Sequence, residues 1–211
     1  LTQHKSYTTI NIVGLAVGMA CCILIALYAK EELSYNDFHK NSDRIIAVGT
    51  KSGMLGRSLG TPQPLAEAMV NEMPAVEAAI TYNNAGSFKL SREGQDFIET
   101  KNGSYAKPGF FDIFSFNLIQ GNPQKLLNSP NSIVLTEEVS RQLFTDGTNP
   151  VGQSLYREKR DTVQMLEVTG VVETPPHNST LQFGAVISYN TRVENRESAQ
   201  AWDKFYSGHT Y

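Results

Sequence analysis

The sequence predicts an α+β protein preceded by one transmembrane helix. Two observations lead there. A single apolar stretch, Ile10 to Ala29, carries one polar side chain (Asn11) and no charge. Beyond it, strand-like segments outnumber helical ones, and their order is not a regular βα alternation.

The apolar stretch belongs to a longer uncharged run, Ser6 to Ala29, bounded by Lys5 and Lys30. Twenty helical residues at about 1.5 Å each cover about 30 Å, the hydrocarbon thickness of a bilayer. A soluble core helix would be shorter and would show a polar face. A secretory signal would have a shorter apolar core and a small-residue cleavage site; here Lys30-Glu31-Glu32 follows directly. Gly14-Leu-Ala-Val-Gly18 has the small-xxx-small spacing that lets two membrane helices approach closely, although glycine is also simply common in membrane helices. Gly14 and Gly18 are therefore the candidate helix-packing residues. Each flank of the span offers one lysine, and the C-terminal flank adds Glu31, Glu32 and Asp37. The expected organisation is a cytoplasmic flank over 1–9, a transmembrane helix over 10–29 and an external domain over 30–211.

The chain has 211 residues, a net charge of −3 and a pI near 5.8. About 180 residues follow the span, enough for one well-filled domain or two small lobes. No basic cluster is present and acids outnumber bases, which argues against nucleic acid as a partner. Both cysteines, Cys21 and Cys22, lie within the span, so the domain is held by packing without disulfides.

After the span, Leu33 to Asp43 is polar, with Tyr35 and Phe38 suited to a membrane interface. Arg44 to Thr50 reads as a strand and Lys51 to Gly60 as a loop. Thr61-Pro62 opens a helix through about Met73, with Leu65, Ala66, Met69, Val70 and Met73 as its apolar face. A strand near Val76 to Tyr82 follows. Ser87 to Ser91 and Asp96 to Thr100 flank a hairpin turn at Arg92-Glu-Gly-Gln95. Phe110, Phe111, Phe114 and Phe116 fall within seven residues, too much apolar surface to leave wet, so this segment plugs a core. Asn131 to Thr136 is a strand, and Thr136 caps a helix through about Phe144, with Glu137 and Glu138 in its first turn. Asp146 to Gly152 is a turn cluster. Strands near 154–157, 165–173 and 184–189 complete the reading, with a loop at Pro175-Pro-His-Asn-Ser179.

No motif assigns a chemistry to the chain. No Gly-Lys dipeptide occurs, hence no P-loop. His4, His39, His177 and His209 are far apart. The carboxylate pairs Glu31/Glu32 and Glu137/Glu138 have sufficient readings as a membrane flank and a helix start. No catalytic, cofactor-binding or metal-binding residue is assigned.

Several stretches are nevertheless familiar in their order. Asn131-Ser-Ile-Val-Leu-Thr-Glu-Glu-Val-Ser-Arg-Gln-Leu-Phe144 with Asn149-Pro-Val-Gly152, the aromatic run Phe110 to Gly121, and Val168-Thr-Gly-Val-Val172 with Pro175-Pro176 and Ser179 resemble the MacB-like periplasmic core domain of FtsX-like ABC transporter permeases. Ile10 to Met19 and Glu32 to Ile45 resemble the first span and exit of the long permeases of Bacteroidetes-type bacteria. The resemblance covers essentially the whole chain, and its motifs are mostly fold signatures. It implies a two-lobed core domain, the first lobe being discontinuous, and further spans beyond Tyr211, so that this chain is a fragment whose domain lacks its last pieces. It implies a bacterial inner-membrane permease subunit with residues 30–211 in the periplasm, no enzyme activity of its own, and ATP hydrolysis on a separate cytoplasmic ATPase. It also implies a homodimer or pseudo-dimer of permeases, contact with lipid and a periplasmic partner protein. The competing readings are a single-span anchored binding or sensor module and an anchored external enzyme.

Overall fold

The computed structural model describes residues 3–52, 56–159, 162–191, 202 and 208–211, without the side chains of 3–6 and 52. The chain divides into two compact units, Leu1–Phe38 with Asn178–Thr180, and His39–His177 with Leu181–Tyr211.

The first unit is built on α1, Gln3–Leu33. The helix extends beyond the apolar run at both ends, and its span-like part, Tyr7–Leu33, is long and apolar enough to cross a membrane. No polar stripe develops along it, and every residue from Tyr7 to Leu33 is exposed. Lys30 sits in the last turn, where a cation favours the dipole. Ser34 ends the helix, its amide donating to the carbonyls of Lys30 and Glu31.

The second unit is a mixed sheet with helical cover. In chain order it contains β1 (Thr50–Ser52), β2 (Gly56–Ser58), α2 (Leu65–Glu72), β3 (Thr81–Ser91), β4 (Ile98–Ala106), α3 (Phe110–Ile113), β5 (Leu118–Gly121), β6 (Ser132–Thr136), α4 (Glu137–Leu143), β7 (Ser154–Lys159), β8 (Thr162–Val172), β9 (Ala185–Ser188) and β10 (His209–Thr210). β1 and β2 form a separate antiparallel ribbon. The main sheet runs β10-β3-β4-β9-β6-β8-β5, and β7 pairs with both β3 and β8. Those two pairings close a circuit: β3, β4, β9, β6, β8, β7 and back to β3. Two ladders in it are parallel, β4–β9 and β6–β8, and the others are antiparallel.

A strand alternates its side chains between two faces, and the ring uses both. Phe88 and Leu90 (β3), Tyr105 (β4), Ile133 and Leu135 (β6), Leu155 (β7), Leu166 and Val168 (β8) and Ala185 and Ile187 (β9) form one cluster, to which every ring strand contributes. Val139, Leu143 and Phe144 join it from α4 and its end. The opposite face carries Tyr82, Ala106, Val134, Val172 and Val186, covered by Phe110, Phe114, Phe116, Leu126, Leu127, Leu181 and Phe183. β6 is buried throughout because both faces are covered. The aromatic segment thus plugs a core as its composition requires. Phe110 is fully buried, stacked on Tyr82 and Phe116 and edge-on to Phe183.

The β6–α4 junction follows its sequence signals. The Thr136 hydroxyl accepts from the Val139 amide at 3.4 Å, and Glu137 pairs with Arg141 one turn on. The hairpin at 92–95 joins strands longer than the local pattern predicts.

Other expectations are corrected. Arg44 to Thr50 is not a strand: only Val48 bridges, to Thr210, and pairing starts at Thr50 in β1. The expected loop over 51–60 holds most of the β1–β2 ribbon. The helix expected over 61–73 is shortened to Leu65–Glu72, because Pro62 and Pro64 keep the preceding turn irregular. Of its apolar face only Ala66 is buried, while Val70 and Met73 are exposed. The strand expected over 76–82 begins at Thr81, where β4 and β10 first offer partners. β5 and β10 have no counterpart in the expected elements. Among the described residues, His39–His177 and Leu181–Tyr211 form one compact unit, whose ring shares its strands between both cores.

Candidate functional site: the membrane helix and its exit

Gly14 and Gly18 lie one turn apart on α1, hence on the same face. A Cβ placed at either would meet nothing within 4 Å. The face is open, with the two glycines as its low points. Cys21 and Cys22 are exposed on the same helix.

The chain leaving α1 makes a compact polar knot with residues 178–180. Asn36 adopts a left-handed backbone at φ 60°, a conformation asparagine tolerates better than other side-chain-bearing residues. Its amide N–H donates to the Asn178 carbonyl at 3.0 Å. Its side chain pairs reciprocally with Thr180: Oδ1 accepts from the Thr180 amide at 2.9 Å, and Nδ2 donates to the Thr180 hydroxyl at 2.7 Å. Asn178 returns the contact, its Nδ2 donating to the Ser34 carbonyl at 3.0 Å and the Ser34 hydroxyl at 3.1 Å. A carbonyl just past the helix end thereby gains a donor. Asn36 and Asn178 are both half-buried.

In the second unit, His39 is buried and edge-on to Phe114 and Phe116. Its Nδ1 accepts from the Ser115 amide at 3.2 Å, and the Lys40 amide donates to the Ser115 hydroxyl. Burial lowers the imidazole below its ordinary value. Arg157 lies 3.9 Å over the Phe88 ring, and its Nη1 donates to the Tyr105 hydroxyl. Asp146 is held at about 2 by hydrogen bonds from the Thr148 hydroxyl and amide and from Arg92. A shallow cavity of about 150 Å³ beside α3 is lined by Gly109, Phe111, Asp112 and Leu126 among others; binding pockets for small molecules commonly start near ~300 Å³.

The structure scatters the remaining sequence candidates. His177 is exposed, His209 lies in β10, and the His4 side chain is outside the described residues. Glu31 and Glu32 end α1, and Glu137 and Glu138 start α4. Among the described residues no three His, Cys, Asp or Glu side chains are placed to hold a metal. Sequence reading missed the pairing of Asn36 with residues 178–180. The only local signals were the polar exit of the helix and the Asn-Ser-Thr following Pro175-Pro176.

With this arrangement in view, comparison with known proteins is decisive. A family model of the MacB-like periplasmic core domain matches residues 8–206. The chain belongs to that family. Its fold is similar to a domain of a protein described as a permease from Porphyromonas gingivalis, at 23% identity and a TM-score of 0.65, covering 78% of this chain and 71% of that one. It is also similar to the periplasmic region of MacB from Actinobacillus actinomycetemcomitans (16% identity, TM-score 0.51, 78% of this chain and 71% of that one). A third similar structure is the extracellular domain of the noncanonic ABC-type transporter YknZ from Gram-positive bacteria (13% identity, TM-score 0.51, 78% of this chain and 80% of that one). At these identities the likeness to the three structures is one of fold. Comparison with curated sequences returns no match. The chain therefore carries the MacB-like periplasmic core domain of the ABC-type transporter permease family, behind one apolar N-terminal helix.

Proposed function

We propose that this chain forms the first membrane span and the periplasmic core domain of a permease subunit that couples ATP hydrolysis on a separate cytoplasmic ATPase to motion outside the bilayer. That motion exports, extracts or releases envelope substrates. The observation that carries the reading is the direct succession of an uncovered apolar helix, Tyr7–Leu33, and a domain of the MacB-like family. In this reading residues 1–9 face the cytoplasm, 10–29 cross the inner membrane and 30–211 lie in the periplasm. Lipid covers most of α1. Gly14 and Gly18 pack against a neighbouring span of the same or a second permease copy, where their missing side chains allow close approach. A periplasmic protein is a further partner.

The test is co-purification of the tagged, membrane-extracted permease, followed by ATPase assay in lipid nanodiscs. Recovery of a nucleotide-hydrolysing subunit whose rate changes when the permease is present supports the coupling. Recovery of the permease without any ATPase, at full yield from the membrane, favours a single-span anchored binding or sensor module instead.

A further inference from the structure

Two stretches singled out in the sequence, the helix exit Leu33-Ser-Tyr-Asn36 and the Pro175-Pro-His-Asn-Ser-Thr180 loop, come together as one knot of hydrogen bonds. We propose that Asn36 and Asn178 are positioning residues that lock the chain leaving the membrane helix to the 178–180 tripeptide, so that movement of the helix exit is handed to the connection between β8 and β9. This inference rests on the transmission reading above.

Three features support it. First, the knot is reciprocal. Each asparagine's side chain binds the other's segment: Asn36 holds Thr180 at both its amide and its hydroxyl, and Asn178 holds Ser34 at both its carbonyl and its hydroxyl. Each segment is therefore held in part by the other, beside its own local hydrogen bonds. Second, position 36 makes demands that few residues meet. Its backbone is left-handed, which penalises most L-residues. Its side chain must also accept from an N–H and face a hydroxyl. Glycine meets the first demand only, alanine neither in full, and asparagine both. Third, the tripeptide is continuous with strands at the centre of the sheet. β8 and β9 both pair with β6, and Leu181, the next residue along, is buried in the outer core with Phe183. A displacement of 178–180 thus pulls on chain that is anchored in packed core, where strain is transmitted and not absorbed. Single hydrogen bonds at half-exposed positions are individually weak, about 0.5–1.5 kcal/mol net, but a mutually dependent set opens as one unit.

Hydrogen exchange on the full permease in nanodiscs, with its ATPase bound, tests this directly. The reporters are the amides of Asn36 and Thr180, each donated across the knot. The variants are Asn36→Gly, which keeps the left-handed backbone but deletes the side chain, and Asn178→Ala. Asn36→Asp serves as the conservative replacement, since it still accepts from Thr180 and the hydroxyl can turn to donate. The expected result is a rise of about tenfold in exchange at both segments for either disruptive variant, near wild-type protection for Asn36→Asp, and unchanged protection of β6 and β8, which shows that the fold is intact. A rise confined to the mutated segment, or none, overturns the lock. On adding ATP, wild type should change exchange across the β8–β9 connection, and Asn36→Gly should lose that change while hydrolysis continues. Retention of the ATP-driven change in Asn36→Gly overturns the hand-over. Absence of any ATP effect in wild type, with the reciprocal loss intact, overturns the transmission reading and the hand-over that rests on it and leaves the lock standing.

Discussion

α1 and β6 are both apolar segments, and they solve the same problem in opposite ways. β6 buries all of its residues inside the protein, with ladders to β8 and β9 on either side and a core on each face. α1 satisfies its backbone within itself and leaves its side chains uncovered over its whole apolar length. A strand cannot exist without neighbours, because its N–H and C=O groups need partners outside it. A helix can, provided the surrounding medium is itself apolar. The contrast separates a region whose energetics are set by internal packing from one whose energetics are set by lipid and by another helix.

That contrast predicts its own largest effect. Phe110→Ala should lower unfolding stability by about 3–5 kcal/mol, because a fully buried ring leaves a cavity among Tyr82, Phe114 and Phe116. Leu24→Ala, an equally apolar truncation on α1, should leave the denaturation midpoint of the sheet unchanged. Equal losses for the two variants in detergent-solubilised protein would show that α1 is packed after all.

Glycines give the next sharpest pair. A Cβ at Gly103 would lie 2.3 Å from the Phe88 ring, so Gly103→Ala should cost about 1–3 kcal/mol of stability. Gly14→Leu with Gly18→Leu meets no internal obstacle and should leave the monomer's fold intact while reducing dimer recovery from membranes. Unchanged dimer recovery with both substitutions would remove the glycine face from the assembly.

A smaller effect lies at the α4 start, where Thr136→Ala should cost about 1 kcal/mol by removing the acceptor for the Val139 amide; urea midpoints of the two proteins measure it. Subtler still is the pH response of His39. Its folded-state value is lowered below 6.5 by burial, so the unfolded chain binds the proton more readily. Stability is then complete above 6.5 and falls as pH drops through that value. His39→Phe should flatten the unfolding midpoint between about pH 7 and 5 relative to wild type, and identical slopes would exclude a contribution from this imidazole.

What could be read in advance was what is local. The apolar run announces α1 because a spanning helix is decided by composition over twenty residues. Thr136 and its two following glutamates announce the start of α4, and the four phenylalanines from 110 to 116 announce a core. Apart from the twenty-residue run, each of these signals lies within one or two turns of chain, and the Pro62/Pro64 pair that delays the start of α2 is just as local. The family resemblance, too, rested on the order of such local signatures.

Tertiary structure decided the rest. Before Thr50, the stretch from Arg44 is apolar enough for a strand, yet it has only Thr210 to bridge and stays irregular apart from Val48. β10 pairs only because Thr81 and Tyr82 stand beside it, more than a hundred residues upstream in the chain. β7 closes the ring through Leu90 and Ser91, and so links strands that are far apart in the chain around a shared core. Asn36 meets Thr180 across a separation of 144 residues, and the polar character of each stretch does not name the other as its partner. Composition determines which segments must leave water. Only the closed fold determines which of them meet, because a strand edge or a side-chain amide finds its partner in space and carries no record of that partner along the chain.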